Sequence, residues 1–138
     1  MRWMTGLLLL VSAGSQAQDA PQVPADTRLV FFDWGEAEVS RDAATILEGV
    51  IGDFRAAPPT TVRVELRGHS DRSGPEWANR RASRHRAEAV RDWLIERGIP
   101  ARSIDVLADG EARAIIPTED GVREAQNRRV EIRISPEM

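Results

Sequence analysis

The stretch Val62-Arg63-Val64-Glu65-Leu66-Arg67-Gly68, continued by His69-Ser70-Asp71-Arg72-Ser73-Gly74-Pro75, decides the fold. Val62, Val64 and Leu66 alternate with Arg63, Glu65 and Arg67, the period of a strand with one buried face and one face turned to water. After the polar loop, Gly74-Pro75 opens a helix that closes at Arg97-Gly98, because proline suits a first turn, glycine suits a C-terminal stop and Pro100 forbids continuation. A strand therefore runs through a short loop into a long helix.

Working outward, Val130, Ile132 and Ile134 alternate with Arg129, Glu131 and Arg133 and repeat the pattern of the first strand. Ile104, Val106 and Leu107 suggest a shorter strand. Upstream, Leu29-Val30-Phe31-Phe32 before the turn-like Asp33 to Gly35 reads as another. Ser40 is a plausible N-cap for a helix whose stripe is Ile46, Leu47, Val50, Ile51 and Phe54, ended by Pro58-Pro59. Gly49 and Gly52 each weaken that helix by about 1 kcal/mol relative to alanine, so it depends on packing. Matching amphipathic strands imply one sheet covered on one side by two helices.

The N-terminus carries its own signal. Arg2, the apolar Met4 to Val11 and the small residues of Ser15-Gln16-Ala17 read as a secretory signal over residues 1–17, with cleavage expected after Ala17. The apolar run is shorter than the roughly 20 residues of a membrane span. Residues 18–27, with Pro21 and Pro24, read as a polar linker, and 28–138 as one domain. No integral membrane segment is expected once the signal is removed. Without cysteine, neither a disulfide nor a lipidated N-terminal cysteine is available.

The 138 residues carry 22 acids against 19 bases, a net charge of -3, and every base is arginine. Acidity and export argue against a nucleic-acid partner, although Arg80, Arg81, Arg84, Arg86 and Arg91 make the long helix locally basic. Glu76, Glu88 and Asp92 turn most of that into a solvated face, and Trp77 and Trp93 are expected to be packing residues. His69, Asp71 and His85 fall short of a metal ligand set, and no glycine motif cradles a phosphate, so neither metal nor cofactor is expected. Asp71 as a base lacks a second catalytic group with a defined role, which argues against an enzyme.

One residue breaks the pattern. On the long helix Asn79, Ala82, Arg86, Ala89, Val90, Trp93 and Leu94 share a face, which puts Arg86 inside the apolar stripe. A guanidinium there needs an acceptor, and Asp71 in the preceding loop is the nearest candidate. Spacing leaves two readings open. Asp71 and Arg86 pair with each other or with backbone to fix the loop, the commoner arrangement, or they clamp a ligand bearing a carboxylate and an ammonium group.

Gly68-His69-Ser70-Asp71, Gly74, Asn79, Arg81, Ser83, Arg86-Ala87 and Val90, with Asn127-Arg128-Arg129-Val130-Glu131-Ile132, resemble the OmpA C-terminal-like domain family. That family includes the peptidoglycan-associated lipoprotein and the wall anchor of flagellar stators, and the resemblance spans Leu29 to Ile134. It implies an α+β fold: a two-layer βαβαββ sandwich with a mixed four-stranded sheet covered by two main helices. It also implies non-covalent binding of peptidoglycan through the meso-diaminopimelate of the stem peptide. Asp71 and Arg86 match the family's clamp residues, Asn79 a supporting polar residue, and Phe32 and Asp33 the loop bordering the site. A periplasmic location follows, associated with the outer membrane through a partner, and the other class of function is a protein-interaction module of the envelope. Ala82, Ala108-Asp109-Gly110-Glu111 and the stretch from Asp120 to Gln126 depart from the family pattern.

Overall fold

A computed structural model describes residues 23, 26–58 and 62–136. The signal assigned to residues 1–17 lies outside the described residues, as does most of the linker. Element order is β1 (Arg28–Phe31), α1 (Arg41–Ala56), β2 (Val62–Gly68), α2 (Glu76–Glu96), β3 (Ile104–Ala108) and β4 (Arg129–Pro136), with short 3-10 turns before β3 and β4. The sheet order is β1-β4-β2-β3; β4 is antiparallel to both β1 and β2, and β2 is parallel to β3. This is the expected βαβαββ sandwich with a mixed sheet. Among the described residues no helix is long and apolar enough to cross a membrane.

Local chemistry explains the element ends. The Ser40 hydroxyl accepts from the Ala43 amide at 3.1 Å and so caps α1. Ala57, preceding Pro58, is extended at φ -82 and ψ 152, which stops the helix. Helix α2 begins at Glu76, one residue later than the proline reading suggests, with Pro75 extended in the cap position.

The core is one layer between helices and sheet. Val30, Val64, Leu66, Val130 and Ile132 from the strands meet Leu47, Val50 and Ile51 of α1 and Ala87, Val90 and Leu94 of α2. Full burial of each such leucine or valine contributes about 1.5–3 kcal/mol. Two helical stripes differ from the sequence reading. Ile46 is 36% exposed, because the sheet-facing stripe of α1 is Ala43, Leu47, Val50 and Ile51. On α2 the buried set is Asn79, Ser83, Arg86, Ala87, Val90 and Leu94, while Ala82 and Ala89 are only half-buried.

The rotation of α2 has a steric cause. Gly68 ends β2 directly against the helix, where a Cβ would overlap the Ser83 carbonyl oxygen, stand 2.8 Å from its carbon and lie 3.2 Å from the Ala87 methyl. Small side chains must face that point, so Ser83 and Ala87 turn inward whatever their hydrophobicity. The Ser83 hydroxyl also accepts from the Gly110 amide at 2.9 Å, which ties the loop after β3 to the same point. Trp77, read as a packing residue, is 68% exposed, whereas Trp93 packs at the core margin beneath the Arg97 guanidinium at 3.6 Å.

The other face of the sheet is a charged ladder. Arg63 grips Asp105 with two bonds of 2.7 Å, Arg67 pairs with Asp109 at 3.0 Å, and Arg129 pairs with Glu131 at 2.8 Å. His69 Nε2 stands 3.4 Å from the same Glu131 oxygen, and both ring nitrogens of this buried histidine lack a hydrogen-bond partner. Arg129 is therefore the geometric holder of the carboxylate. Burial pushes the Glu131 pKa up, but His69 and Arg129 outweigh it and bring it down from 4.5 to about 2.

A folded-state value below the unfolded one stabilises the protein above the unfolded value and ceases to do so as pH falls through the folded one. Acid unfolding followed by circular dichroism should show Glu131-dependent stability lost between pH 4.5 and about 2. Glu131→Gln should be less stable at neutral pH and flatter across that window. Equal pH dependence in both proteins would contradict the assignment.

Candidate functional site

Three segments converge beside the N-terminal half of α2: the loop after β1, the loop after β2 and the segment entering β4. Antiparallel pairing of β2 with β4 brings the last two together, since the His69 amide donates to the Arg129 carbonyl at 2.8 Å. Asp71 and Arg86 are both 3% exposed, so a carboxylate and a guanidinium share a desolvated space.

Asp71 does not pair with Arg86. One of its oxygens accepts from the Ser73 hydroxyl at 2.6 Å and the Ser73 amide at 3.2 Å. The other accepts from Arg128 Nη1 at 2.9 Å and the Glu124 amide at 3.2 Å. Burial pushes the Asp71 pKa up, but the donors of Ser73, Arg128 and Glu124 more than offset it, leaving it below the ordinary value and the group ionised.

Arg86 is held by backbone alone. Its Nε donates to the Glu36 carbonyl at 3.1 Å, Nη1 to His69 at 3.4 Å and Nη2 to Asp33 at 3.5 Å, with the Phe32 ring 5.9 Å from the guanidinium carbon. No carboxylate lies within ion-pair distance among the described residues. Burial lowers its pKa, the nearby Asp71 charge raises it and Arg128 lowers it further. Three bonds are made out of the five N–H groups of a guanidinium, which leaves two for another acceptor.

The group of buried Asp71 and Arg86 with half-buried Arg128 therefore contains two cations and one anion. Arg128, whose Nε donates to the Phe32 carbonyl at 3.0 Å, neutralises Asp71, and Arg86 remains as a positive charge that meets carbonyl dipoles and the Phe32 ring but no carboxylate among the described residues. Such a charge favours an anionic partner, above all a planar carboxylate that a guanidinium can grip with two bonds.

Phe32 is buried under this group. Asp33 is exposed and contributes its carbonyl to Arg86. Both line a cavity of about 450 Å³ together with Phe31, Glu36, Gln126 and Arg128. A cavity of about 530 Å³ on the other side of the loop is larger; Asp71 and Arg86 line neither cavity, but the smaller one is walled by their neighbours Phe32, Asp33, Glu36 and Arg128, whereas the Arg72 of the larger one is already bound to Glu111, Asp120 and the Thr118 carbonyl. Asn79, though buried, donates to the Gly74 carbonyl at 2.8 Å and to Glu111 at 3.4 Å. It shapes the loop that carries Asp71.

Arg128 and Ser73 complete the site, and sequence reading did not assign them to it. Arg128 stood in the quoted Asn127-Arg128-Arg129 run, and only the β2-β4 pairing shows that the run ends beside Asp71. Asn127 fixes the same segment by exchanging two bonds of 2.8 and 2.9 Å with the Ile116 backbone.

A sequence model described as the OmpA family matches residues 31–128. An outer membrane protein of Gluconacetobacter diazotrophicus is 38% identical over 115 residues, covering 79% of this chain and 30% of that protein. The probable lipoprotein YiaD of Escherichia coli is 36% identical over 107 residues, covering 78% of this chain and 48% of that one. The chain thus spans less than half the length of either relative. Among solved structures, the peptidoglycan-associated lipoprotein from Burkholderia pseudomallei superposes with a TM-score of 0.70 at 24% identity, covering 78% of this chain and 90% of that one, a likeness of fold.

Proposed function

The chain belongs to the OmpA family, and from that premise we propose that it binds peptidoglycan non-covalently, through the meso-diaminopimelate of the stem peptide. Arg86 takes the distal carboxylate of that residue and Asp71 its ammonium group. The observation that carries this reading is the singly cationic group of buried Asp71 and Arg86 with half-buried Arg128, in which Arg86 meets no carboxylate of the described residues. A ligand carboxylate neutralises the group, and the adjacent Asp71 suits the positive end of the same head.

The protein acts in this reading as a binding module of the cell envelope and not as an enzyme. It works in the periplasm, reaching the outer membrane through a partner. The likeness of fold to the peptidoglycan-associated lipoprotein of B. pseudomallei supports the wall-binding reading.

Co-sedimentation with purified diaminopimelate-type sacculi tests the proposal. The folded wild-type protein should pellet with the wall. If it stays in the supernatant while an envelope protein is captured from solution, the interaction module takes the place of the wall binder.

A further inference from the structure

The Asp71 carboxylate is full. A carboxylate offers about four acceptor positions, and here each oxygen accepts twice, from Ser73 and its amide on one side and from Arg128 and the Glu124 amide on the other. An incoming ammonium group must therefore displace a donor. Two of the donors are backbone amides fixed by their loops. A third, Arg128, is anchored by its own bond to the Phe32 carbonyl at 3.0 Å. The Ser73 hydroxyl is the one that leaves by a single side-chain rotation.

That hydroxyl is itself held. The Trp34 indole N–H donates to Ser73 Oγ at 3.0 Å, and Ser73 passes its proton towards Asp71 at 2.6 Å, forming a chain from the loop after β1 to the loop after β2. Donation into an oxygen strengthens the bond that oxygen donates, so the indole tightens the grip of Ser73 on the carboxylate. Trp34 is 50% exposed and lies outside the core. Its ring is kept in place by the hydrogen bond and by the Arg123 guanidinium stacked 3.5 Å away.

We infer that Trp34 and Ser73 set the affinity of the site: the Ser73 hydroxyl occupies the position on Asp71 that the ligand's ammonium group takes, and Trp34 holds it there. This rests on the reading that Asp71 receives that ammonium. Trp34 is a positioning residue, acting on Asp71 only through Ser73.

The test is calorimetric titration of the tripeptide L-alanyl-γ-D-glutamyl-meso-diaminopimelate into wild type, Trp34→Phe, Ser73→Ala and the double variant. Trp34→Phe keeps an aromatic ring for Arg123 to stack on, though a smaller one, and removes the N–H donor. Ser73→Ala removes the competing hydroxyl, and Ser73→Thr restores it. Each of Trp34→Phe and Ser73→Ala should bind about threefold to tenfold more tightly than wild type, the range of one net hydrogen bond. The double variant should bind no more tightly than Ser73→Ala, and Ser73→Thr should return to the wild-type affinity. Melting curves confirm that each variant is folded.

Binding by wild type that is unchanged or weaker in Ser73→Ala overturns the inference alone, as does a further gain from Trp34→Phe in the Ser73→Ala background. Binding by Ser73→Ala where wild type shows none supports it. No binding by any of these proteins overturns the diaminopimelate reading and the inference with it.

Discussion

Gly68→Ala should leave a strongly destabilised protein. A methyl group at this position would overlap the backbone carbonyl of Ser83, and no rotation of a side chain can relieve that contact. Either α2 lifts from the end of β2 or the strand bends, and both moves disturb the core formed by Leu66, Ala87 and Val90. Overpacking against backbone of this kind costs about 3 kcal/mol or more, a fall in Tm on the order of 10–20 °C for a domain of this size. Gly52→Ala is the internal contrast. A Cβ there meets nothing within 4 Å, so alanine in the interior of α1 should raise stability by up to about 1 kcal/mol. Thermal melting of the two variants should give opposite signs. A Gly68→Ala protein melting within a few degrees of wild type would show that strand and helix do not approach as closely as described.

Arg86→Ala should abolish wall binding. Truncating one member of a buried, hydrogen-bonded charge pair at an interface costs about 2–5 kcal/mol, which corresponds to roughly thirtyfold to several-thousandfold in affinity. Arg86 provides the only buried cation at the site that contacts no carboxylate of the described residues, so no neighbour substitutes for it. Arg86→Lys keeps the charge and loses the planar fork, and should retain a small part of the binding. Asp71 is a poorer probe, because Asp71→Ala leaves the buried Arg86 and the half-buried Arg128 without a countercharge and should lower stability as well as binding. Fluorescence anisotropy with labelled wall fragments, read beside melting curves, separates the two effects. Arg86→Ala that melts normally and binds like wild type would remove the guanidinium from the site.

Much of the fold could be read before any coordinates, because β2, β4 and α2 each carry a strong period and clear stops. The parts that could not be read share a cause: they depend on neighbours distant in the chain. The inward turn of Ser83 and Ala87 follows from contact with Gly68 across the helix-sheet interface, and hydrophobicity alone favoured Ala82 and Ala89. Ile46 is apolar yet exposed for the same kind of reason, since the position of α1 over the sheet decides which side of its stripe is covered.

At the site, helical spacing placed Arg86 in the buried face, and the structure agrees. It gave no means of choosing its acceptors, which are carbonyls of the loop after β1 and of His69. Arg128 lies 57 residues from Asp71 in sequence and becomes its partner only because β4 sits beside β2. Trp34 and Ser73 are likewise joined across 39 residues. Spacing proposed a pair of opposite charges, whereas the structure holds a trio with one positive charge in excess, and that excess points to a carboxylate on the ligand.

The most direct measurement compares two tripeptides that differ only there. L-alanyl-γ-D-glutamyl-meso-diaminopimelate and its L-lysine counterpart both carry the terminal ammonium group, but lysine lacks the distal carboxylate. Calorimetric titration of the wild-type protein should detect the first and find the second at least about a hundredfold weaker, the loss expected when a charge-assisted, two-bond contact to a buried guanidinium is removed. Equal affinity for the two peptides, or binding of neither, would contradict the assignment of Arg86 as the carboxylate seat of a diaminopimelate site.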